Sequence, residues 1–532
     1  MTAIAPYRSA VASGRAGFAQ LVRAEWVKFR TVRGWVIAMV VAVLAIVALG
    51  LGPGMQGSCG LYGPASDCTQ TLGPGGEAVT DSFYFVHQPL GGNGAITVRM
   101  TSLTGQIPDL SGGGGGGRVK ASGSGSGPQT RSGVVPWAKA GIIIKASTRQ
   151  GSAYAAMMVT GGNGVRMQYD YTGDAPGIAG SVSADSPRWL RLTRSGDTLT
   201  GYDSADGTHW TRVASVTLAG LPSTVPGGLF ATSPQYFQMS AGETSLNSAN
   251  SQATGVFDHL SLRGTQPGGA WTGSAIGAAG GPAAGSPGGF QDTGGTFTVS
   301  GTGDIAPSVT GAAGSGVTIA QTLIGVFAGL IAVVVVGAMF MTAEYRRGLI
   351  RVTLAAAPRR GQVLAAKAVV IAAVTFAVGL VSAAVVVVEG QRVLREHGVY
   401  VWPATALTEV RVIVGTAAVL AVAAVIALAI GTVLRRGAGA VAAVIVVIVL
   451  PYLLTVAIPI LPVAAADWLA RVTPAAAFAV QQTLIQYPQV SNVYTPSAGY
   501  YPLPPLAGFA VLVAWAAAAL ALAAYLLQRR DA

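Results

Sequence analysis

Six stretches of this 532-residue chain are apolar on every side and long enough to cross a bilayer, near 35–53, 317–343, 363–388, 410–434, 438–461 and 505–527. About 20 helical residues span the hydrocarbon at a rise of roughly 1.5 Å each. A helix without a polar face offers nothing to water, so these stretches read as spanning helices. Only 10% of the residues are charged, which sets aside an ordinary soluble chain. The first stretch follows 34 residues holding six Lys/Arg and ends in Gly-Leu-Gly-Pro-Gly with no small-x-small cleavage site. It therefore reads as a retained anchor and not as a signal peptide.

The basic residues set the orientation. Arg8, Arg15, Arg23, Lys28, Arg30 and Arg33 precede the first span; Arg346, Arg347, Arg351, Arg359, Arg360 and Lys367 follow the second; Arg435 and Arg436 follow the fourth, and Arg529 and Arg530 end the chain. These 16 of 33 basic residues lie in short segments that alternate to one side, whereas 54–316 carries 13 basic and 14 acidic residues. By the positive-inside rule both termini are cytoplasmic and 54–316 is extracellular, in a multi-pass plasma-membrane protein. The net charge of +12 is thus a topology signal with a lipid-surface component, and no nucleic-acid partner is implied. The two cysteines, Cys59 and Cys68, fall on the exterior side. A local disulfide suits that setting better than a metal site, because no His or acid cluster accompanies them.

Residues 54–316 differ in kind from the rest. Short runs of period two, such as Ala95-Ile-Thr-Val-Arg-Met, Trp189-Leu-Arg-Leu-Thr-Arg and Thr198-Leu-Thr-Gly-Tyr, alternate with turn signals such as Gly161-Gly-Asn-Gly, Ser195-Gly-Asp and Asp206-Gly. That pattern predicts an antiparallel β-sandwich with Gly-rich linkers at 111–127 and 266–293. Asp81-Ser-Phe-Tyr-Phe-Val-His-Gln-Pro-Leu, Trp137-Ala-Lys-Ala-Gly-Ile-Ile-Ile-Lys and Tyr202-Asp-Ser-Ala-Asp-Gly-Thr-His-Trp resemble the concanavalin/laminin-G-like sandwiches of secreted bacterial proteins. In that family a segment like Trp271-Thr-Gly-Ser-Ala-Ile-Gly comes before the Phe-Val-His-Gln strand, and here it follows the module. The order fits either a circularly permuted sandwich or a truncated second copy. The resemblance makes Trp137 and Trp210 candidates for stacking on glycan, beside the plainer reading of ordinary strand and turn packing. Asp203, Asp206 and His87 read as structural. No catalytic constellation and no metal site is evident.

Spans two to six read as free of ionisable side chains in their interiors, which argues against an ion-coupled carrier. No Gly-x-x-x-x-Gly-Lys-Ser/Thr occurs, so the chain has no P-loop and binds no cofactor itself. Small residues such as Gly379, Ser382 and Ala383 suit close helix contacts, and Pro451 predicts a kink in span five. Phe18, Leu21, Val22, Trp26 and Phe29 share one face of a helix, with Arg23 and Lys28 turned toward headgroups.

Six spans, an amphipathic N-terminal segment and an organised first cytoplasmic loop resemble the membrane subunit of a type-2 ABC exporter, in particular actinobacterial permeases with such an insert. The family pattern of Glu, Arg, Gly, an apolar stretch, Pro-x-Arg and Lys is met by Glu344, Arg347, Gly348, Pro358, Arg360 and Lys367. The resemblance makes Phe18, Leu21, Trp26 and Phe29 an elbow helix. It makes Glu344, Arg346, Arg347, Gly348, Pro358 and Arg360 an ATPase-coupling loop whose short helix runs from Gly348 to Ala357. It implies a separate ABC ATPase subunit carrying ATP and Mg, and a second permease chain. The arginines fit topology and lipid contact equally well; Glu344 fits a salt bridge that either holds the loop or meets the ATPase.

The expected fold is therefore an α-helical polytopic membrane protein of six spans with an inserted all-β extracellular sandwich. Its parts are an elbow segment (1–34), span one (35–53), the sandwich (54–316), span two (317–343), the coupling loop (344–362), spans three to five (363–461), an external helical segment (462–504), span six (505–527) and a tail (528–532). The external segment could gate the exit or simply pack. The expected function is that of an exporter permease and not an enzyme; the alternative is an envelope-anchored glycan-binding or signalling protein.

Overall fold

The computed structural model describes residues 17–55, 70–110, 130–239, 246–264, 270–277, 288–309, 317–346, 348–356, 359–457, 461–491 and 494–529. The chain forms two compact units. Cys59 and Cys68 lie outside the described residues, as do Arg347 and Pro358.

The helical unit comprises 1–65, 317–483 and 495–532. Among the described residues six helices are long and apolar enough to cross a membrane: Arg33–Gly52, Ile319–Arg346, Arg360–Glu396, Ala406–Leu434, Gly437–Thr455 and Pro505–Arg529. Small residues let them approach backbone to backbone. A Cβ added at Gly337 would lie 2.6 Å from Ala424 O, and one at Gly431 2.8 Å from Ala338 O, so spans two and four touch through each other's glycines. Gly379 meets Ala417 in the same way, joining spans three and four. Span five departs from α geometry where Pro451 supplies no N–H. Ile445–Val449 and Leu453–Ala457, on either side of it, take the wider π form. Thr455 Oγ1 donates to Pro451 O at 2.8 Å within that turn.

Two expectations need correction. Span three runs 37 residues, from Arg360 to Glu396, and carries Lys367 fully buried in its second turn. Its buried part is thus not free of charge, for Lys367, counted in the sequence among the basic residues of the preceding loop, lies inside the helix. The region between spans five and six is not a pair of external helices either. Val463–Val472 is α-helical, but Pro474–Gln481 is a 3-10 helix whose eight residues are all buried. Ala475, Phe478 and Val480 join one core with Val412, Val419, Tyr452 and Leu512. An alanine-rich, nearly uncharged sequence carries no mark that separates a surface helix from one wedged among spans.

That wedge depends on Gly508 of span six, where a Cβ would sit 2.2 Å from Ala476 O and 2.9 Å from Ala479 Cβ. Gly508→Ala is expected to destabilise the protein by about 1–3 kcal/mol through overpacking. Gly439→Ala, at a helical site with open space around it, should be neutral or slightly stabilising. Thermal unfolding of the two variants in detergent is the comparison; equal midpoints would mean that the segment is not wedged as described.

The second unit comprises Ser66–Gly316 and Leu484–Tyr494. Among the described residues two two-stranded sheets, Val79–Asp81 with Ile305–Pro307 and Tyr236–Met239 with Leu246–Ala249, stand beside two large antiparallel sheets that dominate it. One runs Thr272–Ile276, Phe83–Leu90, Val225–Thr232, Lys139–Lys145, Tyr154–Thr160, Val165–Tyr169, Gly173–Pro176. The other runs Thr211–Thr217, Thr198–Ser204, Arg188–Ser195, Asn93–Pro108, Gln252–Arg263, Thr296–Gly301, Gly288–Thr293, with Thr130–Ser132 beside Asn93–Pro108. Period-two alternation places Ile96, Val98, Leu190, Leu192, Leu199 and Phe257 in the space between the sheets. Lys139–Lys145 and Tyr154–Thr160 are buried along their whole length. A second apolar layer of Phe83, Phe85, Ile143, Met158, Phe230 and Ile305 covers their other face, which explains the unbroken Ile142-Ile143-Ile144.

Thr272–Ile276, Gly288–Thr293 and Thr296–Gly301, which follow Trp271, enter these same two large sheets and do not form a separate fold. Val79–Asp81 pairs with Ile305–Pro307, bringing the two ends of the domain together. Lysines at both ends of one central strand bind these ends. Lys139 Nζ reaches Asp304 Oδ1 and Ile305 O, each at 2.7 Å, and Lys145 Nζ reaches Asp81 Oδ2 at 2.7 Å. The strap 484–494 adds a further tie, for Gln489, nearly fully buried, donates Nε2 to Thr172 O at 3.1 Å. The domain is therefore not confined to the single insert 54–316. It also takes residues from the connection between the last two spans, a long-range pairing that local pattern does not show.

Candidate functional site

The first helix, Phe18–Thr31, brings an acid and a base to the helical unit three residues apart. Glu25 and Phe29 are buried, Leu21, Val22 and Lys28 are half-buried, and Phe18 and Trp26 are each more than two-fifths exposed. The inward stripe is thus rotated from the apolar face read in the sequence. It runs through Val22, Glu25 and Phe29, and Phe18 and Trp26 lie away from it. The reason is electrostatic.

Lys367 Nζ, with no solvent exposure, lies 2.7 Å from Glu25 Oε2 and 2.8 Å from Glu344 Oε1. Lys28 Nζ lies 2.7 Å from Glu25 Oε1 and 3.1 Å from Glu344 Oε1. Two carboxylates and two ammonium groups form a closed, neutral square that joins the first helix, the end of span two and the start of span three. Phe340 puts its ring 4.6 Å from Lys367 Nζ and packs edge-on to Phe29 and Trp35, so an aromatic floor seals one side. Burying Glu25, Glu344 and Lys367, with Lys28 half-buried beside them, carries a heavy desolvation cost, offset only when each finds partners in good geometry. Burial alone would depress Lys28, but Glu25 and Glu344 together hold it above its ordinary value. Lys28 therefore faces the cluster and not the headgroups, and Glu344 is turned inward onto Lys28 and Lys367.

The loop continues from that acid. Gly348 adopts φ +67, a left-handed turn that favours glycine, and Leu349–Ala356 forms a short helix. Ile350 is buried, whereas Leu349 is 48% and Val352 68% exposed, with Arg346, Arg351 and Arg359 exposed around them. Arg360 Nη1 donates to Leu527 O at 2.9 Å, capping the end of span six where the helix dipole favours a cation. The Arg435 guanidinium, at the turn after span four, lies 5.2 Å from the Tyr345 ring centroid. The basic residues thus divide between helix-end ties (Arg360, Arg435) and an exposed group beside the short helix.

A model of the ABC-2 family transporter proteins matches residues 193–532, more than half of the chain. The chain belongs to that family. In this ABC-2 protein the ion square and the short helix lie within the matched region except for the first helix, which supplies Glu25 and Lys28. No curated protein matches the chain. Three solved structures give the scale of other likenesses. A functionally unknown protein from Saccharomyces cerevisiae is 15% identical over 36% of this chain and 77% of its own, at TM-score 0.20. A variant of the GH43 protein BlXynB from Bacillus licheniformis is 15% identical over 32% and 28%, at TM-score 0.18. Scytalido-glutamic peptidase is 11% identical over 41% and 98%, at TM-score 0.20. Scores this low assign neither fold nor activity.

The two tryptophans named for glycan stacking are not brought together. Trp137 precedes a strand of one sheet with the Arg166 guanidinium 5.7 Å from its ring centroid. Trp210 precedes a strand of the other, one face covered by Arg191 at 3.8 Å. His87 bonds Ser274 Oγ through Nε2 at 3.1 Å, and burial lowers its pKa. Asp206 accepts from Thr208 N and His209 N within its own turn, and Asp203 Oδ2 accepts from Ile178 N at 2.6 Å. Among the described residues no group of three His, Cys, Asp or Glu could hold a metal. What the sequence left unassigned was Glu25. A lone acid three residues before a lysine, inside a strongly basic segment, was the available signal.

Proposed function

We propose that this chain is the permease subunit of an ATP-binding-cassette exporter, energised by a separate ATPase subunit that docks on Leu349–Ala356. The observation that carries this reading is the juxtaposition of an exposed, partly apolar helix with a buried charge square, joined by one turn of chain. Leu349 and Val352 offer apolar surface to a partner, and the neighbouring arginines offer charge. A push on this helix is delivered through Glu344 to Lys367 and Glu25, and so to span three and the first helix together. The first helix then acts as the elbow at the cytoplasmic membrane surface, with Phe18 and Trp26 left for lipid. Two such chains, with two ATPases, would form the working assembly. Both termini are cytoplasmic in this reading, and the sandwich, akin to concanavalin/laminin-G-like domains, is extracellular.

ATP hydrolysis by the reconstituted complex tests the proposal. Val352→Glu is expected to weaken ATPase association at least about ten-fold, since a side chain worth about 1.5–3 kcal/mol when buried becomes a charge. Because Val352 is exposed, the stability of the permease alone should change by no more than about 0.5 kcal/mol. Undiminished association would move the docking site elsewhere on the permease; no association with an ATPase by the parent chain would leave the alternative of a glycan-binding or signalling protein in its place.

A further inference from the structure

The solvent-facing side of the second sheet carries a feature that transport does not use. Alternation turns Ile96, Val98, Leu190, Leu192 and Leu199 inward and Thr97, Arg99, Trp189, Arg191, Thr193, Thr200 and Tyr202 outward. Register then aligns a row across four strands: Arg212 opposite Tyr202, Tyr202 opposite Arg191, Arg191 opposite Thr97. Arg263 stands opposite Ala95, on the far side of that same strand. Alternate strands are about 10 Å apart, so Arg212, Arg191 and Arg263 form a series of cations at roughly that interval.

These arginines differ from their neighbour Arg99, which is neutralised by Asp258 at 2.5 Å. Among the described residues no carboxylate pairs with Arg191, Arg212 or Arg263. Arg191 is fixed in place, its Nε on Thr97 Oγ1 at 3.2 Å and its guanidinium stacked on Trp210. Burial and the nearby Arg263 hold it below its ordinary pKa. The described lysines of the domain, Lys139 and Lys145, are both fully buried, so among the described residues its exposed Lys/Arg charge is arginine alone. Arginine is the side chain that grips planar anions with two parallel bonds. Hydroxyls lie between the cations: Thr193 donates to Thr200 O at 3.3 Å, and Thr200 and Ser215 share a bond of 2.8 Å.

We propose that this face binds a linear acidic polysaccharide, its carboxylates engaging Arg212, Arg191 and Arg263 in turn and its sugar hydroxyls meeting the threonines between them. The spacing suits a polymer with one acidic group in every second sugar. A lipid surface is the poorer fit, because no strand of either sheet exposes a large apolar side chain among the described residues. The proposal does not depend on the transport reading.

The experiment uses the full chain in nanodiscs of zwitterionic lipid, with hyaluronate as the probe and neutral dextran as the control. Hyaluronate should bind and dextran should not. The triple variant R191A/R212A/R263A should bind at least about ten-fold more weakly, with a shallower salt dependence. The triple lysine variant R191K/R212K/R263K should also lose affinity, because it keeps charge but not the bidentate fork. Absence of hyaluronate binding, or a lysine variant equal to the parent, would overturn the proposal. So would vesicles of phosphatidylglycerol that bind through the same three arginines as tightly as hyaluronate does.

Discussion

Replacing Lys367 with alanine is expected to destabilise the helical unit by about 3–5 kcal/mol, the cost of removing one partner from a buried ion pair. Lys367 is the fully buried corner of the square, and its loss leaves Glu25 and Glu344 facing each other across a cavity. The half-exposed Lys28 alone cannot serve both carboxylates as well. The first helix should then detach, because Glu25 is its main polar reason for facing inward. Protease cleavage within Phe18–Thr31 and a lowered thermal midpoint in detergent are the readouts. A second variant separates charge from packing. Lys367→Met with Glu344→Leu removes one opposite pair and leaves Glu25 with Lys28, and should recover most of the lost stability, since apolar replacement of a buried pair is often neutral. That variant should nonetheless fail to pass a signal between the short helix and the first helix. If Lys367→Ala unfolded within about 1 kcal/mol of the parent, the square would be ornamental.

The second large effect is expected at Asp81, in the other unit. Its Oδ2 receives Lys145 Nζ at 2.7 Å, Tyr171 Oη at 2.8 Å and Gly151 N at 2.8 Å, and neither ion has any exposed side-chain surface. Burial pulls Lys145 below its ordinary pKa, and Asp81 offsets part of that pull. Asp81→Ala strands the ammonium and is expected to cost the domain about 3–5 kcal/mol. The strand Val79–Asp81 should loosen from Ile305–Pro307, because the same residue ends that pairing. Faster amide exchange in 79–81 and 305–307, with the hairpin of Arg188–Ser195 and Thr198–Ser204 unchanged, would be the signature. Exchange accelerated evenly over both sheets would instead mean that the ends are not separately clasped. Lys145→Met combined with Asp81→Leu should be much milder than Asp81→Ala alone.

Much of this fold is legible along the chain. Apolar runs without a polar face mark the spans, and period-two runs with Gly and Asp turns mark the strands, because both signals are local. What the sequence conceals depends on which distant segments meet. Lys367 lies at the edge of an apolar run and looked like one more inside-facing cation; only its placement against Glu25, 342 residues away in sequence, shows its role. Glu344 stood out as an acid where topology needs none, and its partners proved to be lysines within the chain. Pro474–Gln481 has no polar stripe, so nothing local could show that it is buried on every side. The strap around Gln489 is likewise invisible, since a single side-chain bond to Thr172 O across 317 residues leaves no periodicity.

The measurement that bears most directly on the central claim is affinity capture of the tagged full chain from its own cells in mild detergent, followed by identification of bound proteins. The proposed permease should bring down a P-loop ATPase in equimolar amount. Val352→Glu should lose it, and the sandwich variant R191A/R212A/R263A should retain it. Capture of the intact chain without any nucleotide-binding subunit, or equal capture by Val352→Glu, would contradict the account.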